Sequence, residues 1–319
     1  GFLTPTYGYS DRNRFYIKVP YYYAPENNPT WDMTFTTHQN GKTGHTDQLN
    51  VRKEYEKTSL ETYNSLTSFC RSILNKGIVP AKDNPNFIGN RVGIFSLMSS
   101  IKLSIIKNIK IEEVDFLTGA ICGRPKSATF RTADIIGLDT LESVAMTTYD
   151  KSKDDESIEV FKPPSIIKIL IKNNYLGQKS NSGFYRKNDD GAIQVFNPEK
   201  NEYQHVQKLD LGINQNILNN ENISDRLNAI INLDNKYGDF LWHSISDMLL
   251  YCANRVPEIT SEPINIDNAM KWGFGWQFGP FELWQMLGLE KTVKRMQKDK
   301  KNIPNWIRDK VLKKELTFF

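Results

Sequence analysis

The side chains best suited to chemistry are an asparagine in a helix, a histidine with an aspartate at helical spacing, a glycine-rich aromatic run and a basic C-terminal stretch. In "DNPNFIGNRVGIFSLMSSI", from Asp83 to Ile101, Ile94, Leu97 and Ile101 follow Asn90 at spacings of four, three and four, and Pro85 suits a first helical turn. This pattern places Asn90 on the apolar stripe and predicts its burial. A buried amide without partners costs roughly 1–3 kcal/mol, so Asn90 is expected to meet a backbone group or something held in a cleft. His243 and Asp247 stand at i and i+4 in "WHSISDM", a spacing that orients an imidazole for acid–base work, although such pairs are more commonly surface contacts. His38, His45 and His205 have no partner pattern.

"WGFGWQFGPFELW" carries Gly273, Gly275 and Gly279, yet it follows the helical "INIDNAMKW" and its glycines do not fit G-x-G-x-x-G. It reads instead as a turn joining two helices, packed by Trp272, Trp276 and Trp284, with Gly279-Pro280 opening the second helix. "KTVKRMQKDKKNIPNWIRDKVLKK" interleaves its charges with Met, Ile, Trp and Val, as a solvated amphipathic helix does. Cys70, Cys122 and Cys252 are far apart in apolar contexts, which suits reduced thiols, and no metal-ligand spacing occurs.

These residues need a scaffold, and its texture changes along the chain. The 319 residues, 39% hydrophobic, suffice for one large or two modest cores, and no stretch is long and apolar enough for a membrane helix. With 41 basic and 37 acidic side chains the charge is too balanced to imply nucleic acid. Residues 1–52 alternate as strands do, with Phe15, Ile17 and Val19, then "PENNPT", then Trp31, Met33 and Phe35. "GFLTPTYGYS" is no signal peptide and lacks an initiator Met, as a fragment would. From Thr58 the period becomes helical, with Leu60, Tyr63, Leu66, Phe69 and Leu74 on one stripe, Thr58 or Ser59 as cap and Gly77 as stop. Asp190-Gly191 between two β-prone runs reads as a short hairpin closing the first helical unit.

An internal repeat follows. "VDFLTGAICGRPKSATFRTADIIGLDTLESV" from Val114 matches "IDNAMKWGFGWQFGPFELWQMLGLEKTVKRM" from Ile266: Asp115 pairs with Asp267, Gly123 with Gly275, Phe130 with Phe281, and Gly137-Leu138-Asp139 with Gly288-Leu289-Glu290, with one single-residue gap. Each copy follows a long apolar helix, so two duplicated helical units are expected to pack together. The fold class is therefore mainly α, with an N-terminal β-like extension at 1–52, a first helical domain at 53–200 and a second at 201–319.

"KDNPNFIGNRVG", "GRPKSATFRTADIIGLDT", "GQKSNSGFYRK" and "MKWGFGWQFGPFELWQMLGL", in that order from about Glu56 to Met296, resemble the C-terminal helical domains of 3-hydroxyacyl-CoA dehydrogenases in the bacterial form with two such domains. The resemblance implies an enzyme of fatty acid β-oxidation, oxidising the 3-hydroxyl of an acyl-CoA with NAD, cytoplasmic, with the nucleotide on a Rossmann domain and the thioester in the cleft beside the helical domain. It gives Asn90 as the catalytic and substrate-binding asparagine, which supplies the cleft partner its amide requires. It implies a weaker substrate-binding role for Ser127, bordering the acyl chain, and gives the second copy a role in packing and in a homodimer through the helical domains. Two departures matter. The Rossmann domain is missing, and so are the catalytic His and its orienting Glu, near whose place Val51 stands; the chain alone is therefore expected to bind no NAD and transfer no hydride.

Residues 1–52, with "PYYYAPENNPTWDMTFT", resemble strands of the outer-membrane lipopolysaccharide-assembly protein. Two barrel strands cannot close a barrel, so this part reads as a foreign, loosely attached hairpin. The alternatives to the dehydrogenase reading are a fragment of that membrane-assembly protein and a purely structural helical interaction module.

Overall fold

The computed structural model describes residues 60–207 and 209–319, together with the backbone of three N-terminal strands, β1 (Thr6–Ser10), β2 (Arg14–Lys18) and β3 (Thr34–Thr36). These strands form an antiparallel sheet in the order β1-β2-β3, with Tyr7 opposite Ile17 and Phe15 opposite Phe35. The expected alternation at Phe15, Ile17 and Phe35 lies in β2 and β3, and β1 is a strand not expected from the sequence. Val19, Trp31, Met33 and the rest of the reading of 1–52 as a foreign segment lie outside the described residues.

The helical part begins with α1 (Leu60–Ser72). It ends well before Gly77, because the chain turns at Asn75, whose φ of 49° is left-handed. Its inward stripe is also rotated from the expected one: Cys70 is buried whereas Phe69 is 44% exposed. A turn over residues 85–88, with Asn86 and Phe87 at positive φ, leads into α2 (Gly89–Ile106), so Pro85 precedes the helix instead of lying in its first turn. There follow α3 (Ile111–Thr118), α4 (Phe130–Ile136), α5 (Leu138–Lys151) and α6 (Ser165–Lys172). Next comes an antiparallel meander of β4 (Tyr185–Lys187), β5 (Ile193–Asn197) and β6 (Glu202–His205). The Asp190-Gly191 turn is where it was expected, but the hairpin gains a third strand, so the expected boundary at 200/201 falls between two paired strands.

The second half comprises α7 (Gln215–Leu218), α8 (Ile223–Ile231), α9 (Lys236–Arg255), α10 (Pro263–Phe274), α11 (Pro280–Leu287), α12 (Leu289–Lys298) and α13 (Asn305–Leu312). Helix α11 opens at Gly279-Pro280 with proline in its first turn, as expected. The described chain is therefore mainly α, in line with the expected class.

The repeat is a repeat of devices as well as of letters. The Asp115 carboxylate accepts the backbone N–H groups of Thr129, Phe130 and Arg131 at the start of α4, and Asp267 accepts those of Phe281 and Glu282 at the start of α11. Each aspartate thus supplies from a neighbouring helix the acceptors that a helix start lacks. Gly123 and Gly275 share φ of 66° and 65°, a left-handed turn that glycine adopts without a Cβ penalty.

The correspondence extends past the matching letters. Asp134 and Gln285, equivalent under the same gap, accept the N–H groups of Phe184 and Phe318 respectively, at 2.8 and 2.9 Å. Those two phenylalanines lie edge-on to the equivalent rings of Phe130 and Phe281, at 4.6 and 4.9 Å.

The two copies pack through like surfaces. Helices α2 and α9 cross at Ser100 and Ser244, whose hydroxyls are 2.9 Å apart, and the residues after the paired glycines meet as Arg124 over the Trp276 ring at 4.1 Å. Gly93 on α2 lets the Phe274 ring of α10 lie directly on the helix backbone. One continuous core spans both copies, from Val79 to Ile307.

Candidate functional site

The turn before α2 and the first turn of that helix carry Asn90, and most of the geometry around them serves Arg91. Asn90 is exposed, which overturns the expected burial; the fully buried side chain is Arg91. The reason lies in α2 itself. From Val92 to Met98 every residue is buried, so the i, i+3, i+4 pattern does not distinguish an inward face, and Asn90, second in the helix, projects beyond the packed part. Its amide makes no hydrogen bond among the described residues and is free to meet a ligand or another protein surface.

Arg91 Nε donates to the Tyr251 hydroxyl at 2.6 Å, Nη2 to Asp155 at 2.7 Å and Glu258 at 3.1 Å, and Nη1 to Ser152 at 2.9 Å. The Tyr251 hydroxyl in turn donates to Asp155 at 2.9 Å, and Arg255 lies 3.3 Å from the same carboxylate while also pairing with Glu156 and Glu258. Burial by itself lowers the pKa of Arg91, but Tyr251, Asp155 and Glu258 together hold it above the usual guanidinium value. The charge is thus compensated, as a buried ion must be. The segment before the helix is tied to the second copy as well: Lys82 N–H donates to Ile259 at 2.9 Å and the Asn84 amide to the Glu258 carbonyl at 2.8 Å. On its other side, the Asn86 amide donates to the Val144 carbonyl of α5 at 2.8 Å.

Ser127 is half-buried in the turn before α4, where its hydroxyl accepts from Thr132 at 2.9 Å. Arg124 of that turn reaches Ser96 on α2 at 3.2 Å, six residues and about 9 Å along the helix from Asn90. His243 does not pair with Asp247. Its Nε2 lies 3.2 Å from Asp239, at i−4, while Asp247 pairs with Lys301, because both neighbours are at helical spacing and α9 meets the C-terminal helices on the Asp247 side. Burial and the nearby Lys301 hold the His243 pKa below its usual value.

Sequence reasoning missed a set of buried carboxylates. Burial pushes Asp134 up to about 7 and Asp267 up to about 7, against the hydrogen bonds that favour their charged forms, and Asp115 up to about 6. The recurrence of Asp115 as Asp267 is the signal that could have found two of them. The three cysteines are buried free thiols, and burial pushes Cys122 up to about 11, so they are inert packing groups. Among the described residues no cluster of His, Cys, Asp and Glu is placed to hold a metal.

The glycine-rich aromatic run does not form the turn of a dinucleotide site. Such a site needs a glycine-rich turn between a strand and a helix, whereas Gly275 here is the left-handed cap that ends α10. Nor is any described helix long and apolar enough to cross a membrane.

Residues 87–187 match the family model of the 3-hydroxyacyl-CoA dehydrogenase C-terminal domain. The chain is 36% identical over 264 residues to a protein of Bacillus subtilis named "Probable 3-hydroxyacyl-CoA dehydrogenase", covering 83% of this chain and 33% of that protein. It is 37% identical over 135 residues to one of the same name from Deinococcus radiodurans, covering 42% of this chain and 38% of that protein. A crystal structure of 3-hydroxybutyryl-CoA dehydrogenase from Escherichia coli K12 has the same fold, with a TM-score of 0.54 at 16% identity over 84% of this chain and 68% of that one. The chain spans about a third of the length of the curated relatives it matches. Residues 87–187 of this chain are a C-terminal domain of the 3-hydroxyacyl-CoA dehydrogenase family, and the rest of the helical region is similar to proteins of that name.

Proposed function

We propose that this chain supplies the helical, substrate-side part of a cytoplasmic 3-hydroxyacyl-CoA dehydrogenase of fatty acid β-oxidation, which oxidises 3-hydroxyacyl-CoA to 3-oxoacyl-CoA with NAD. The observation that carries the reading is Asn90: its amide stands exposed at the start of α2, inside the segment that matches the family's C-terminal domain, on a turn braced from both sides. A carboxamide there can donate to a carbonyl oxygen of the acyl thioester and accept from a donor beside it, so it orients the substrate without itself moving a proton. Ser127 borders the acyl chain in this reading.

The reading assigns the general base and the NAD platform to a separate nucleotide domain. In this reading the chain by itself binds acyl-CoA and depends on that domain for hydride transfer. Within this chain the two copies already pack on each other, at Ser100 with Ser244 and Arg124 with Trp276. A homodimer would have to form through another helical face, and sedimentation velocity reads that directly.

The test is a calorimetric titration of the full chain with acetoacetyl-CoA, a 3-oxoacyl-CoA. Asn90→Ala is expected to weaken binding by about tenfold, the equivalent of one charge-neutral hydrogen bond. Binding indifferent to that change removes the reading. NAD reduction by the chain alone with 3-hydroxybutyryl-CoA would contradict the division of labour proposed for it.

A further inference from the structure

The second helical copy does more than bury the first. From the network around Arg91 we infer that it positions the site-bearing turn, with Tyr251 and Glu258 acting on Asn90 through Arg91; the inference rests on the reading of Asn90 given above. Asn90 and Arg91 are adjacent in the first turn of α2, which has no side-chain cap; its backbone is held to the preceding turn by Arg91 N–H on the Asn86 carbonyl at 3.2 Å and Val92 N–H on the Ile88 carbonyl at 3.0 Å. Side-chain bonding of Arg91 adds to that hold, and two of its acceptors come from the other copy: the Tyr251 hydroxyl at 2.6 Å and Glu258 at 3.1 Å.

Tyr251 is itself fixed, since its ring stacks on Phe95 of α2 with centroids 3.7 Å apart and planes 2° from parallel. Asp155, fully buried, joins the two sides by accepting from Arg91 and Tyr251 together. The Lys82 backbone N–H and the Asn84 side-chain amide donate to the carbonyls of Ile259 and Glu258 in addition, so the approach to the turn and the turn itself are both referred to the second copy. Asn90 thereby has a fixed backbone and an amide not engaged by the described residues, so the direction from which it meets a ligand is set by the turn.

A positioning role and a merely structural one make different predictions. Tyr251→Phe keeps the stacked ring and removes one hydroxyl; Glu258→Gln keeps an acceptor and removes the charge. Hydrogen exchange in both variants is expected to quicken about tenfold at the amides of residues 86–92 and to stay unchanged in α10 to α12. Acetoacetyl-CoA affinity is expected to fall about threefold to tenfold in Tyr251→Phe, and not to fall further when the same change is made in the Asn90→Ala background, because coupled residues are non-additive.

Exchange that is unchanged at 86–92, or faster throughout the molecule, overturns the inference. So do additive losses of affinity in the double variant. Local acceleration in a chain that binds no acetoacetyl-CoA supports the coupling of the turn to the second copy and removes the reading of Asn90 as a substrate residue, so the two failures are told apart.

Discussion

The two helical copies solve the same mechanical problem with the same parts and then diverge where chemistry would be done. Both start a short helix on an aspartate from a neighbouring helix, both turn on a left-handed glycine, and both close by bonding a phenylalanine N–H and laying its ring on another. The difference lies at the starts of the long helices. In the second copy Asn235 caps α9, its side chain accepting the N–H groups of Tyr237 and Gly238. In the first copy the asparagine sits inside the helix, exposed, and Arg91 with its partners from the other copy adds to the hold on the turn. Duplication preserved the packing parts, because each buries apolar surface that the other copy needs, while the starts of the long helices diverged. On the proposed reading, the second copy is a scaffold and the first a scaffold with a site.

The largest test of that asymmetry is Arg91→Ala, which leaves Asp155 buried without its main partner and is expected to lower stability by roughly 3–5 kcal/mol in urea unfolding. A loss below 1 kcal/mol would mean the network does not hold the two copies together. Removing the closing rings compares the copies directly. Phe184→Ala, at a fully buried ring, should destabilise by about 3–5 kcal/mol, and Phe318→Ala, at a half-buried one, by about 2 kcal/mol. Equal losses would show that the second copy closes as tightly as the first.

The shared aspartate device can be read the same way. Asp115 takes three backbone donors and the Tyr185 hydroxyl, and Asp267 takes two backbone donors. Asp115→Ala is therefore expected to cost about 3 kcal/mol and Asp267→Ala about 2 kcal/mol in thermal unfolding, and the reverse order would break the analogy.

A smaller effect follows from pH. Burial raises Asp134 to about 7 in the folded chain, whereas unfolded it ionises near the usual aspartate value of 3.8. The folded state then binds the extra proton between those values, so this group's contribution to stability is fully present below about pH 4 and is lost as pH rises through about 7. Its counterpart Gln285 cannot titrate. Relative to wild type, the Asp134→Asn variant should gain on the order of 1 kcal/mol in stability between pH 5 and pH 8. A constant difference across that range would show that the carboxyl stays charged in its cap. The smallest effect belongs to Asn90→Ala, which at an exposed position should change stability by less than about 0.5 kcal/mol while weakening acyl-CoA binding, a separation checked by melting and titrating the same sample.

Much of this was legible in advance. The residues that pair the two copies, Asp115 with Asp267, Gly123 with Gly275 and Phe130 with Phe281, are visible as letters because each is needed for a local backbone reason that recurs wherever the motif does. Gly279-Pro280 announced the start of α11 for the same kind of reason. Partner choice was not legible. His243 has an aspartate four residues away on either side, and the lysine that takes Asp247 comes from residue 301, far along the chain. The third strand of the meander pairs only because β5 offers it an edge.

The sequence by itself determined that the chain is a duplicated bundle of helices, because periodicity, helix stops and prolines act within a few residues of one another. Only the tertiary structure decided which neighbour in the Asn90-Arg91 pair turns inward. A helix buried around most of its circumference carries no facing signal, and the choice fell to Tyr251, Asp155 and Glu258, which lie 64 to 167 residues away and can satisfy a buried guanidinium but would leave a buried amide half-bonded.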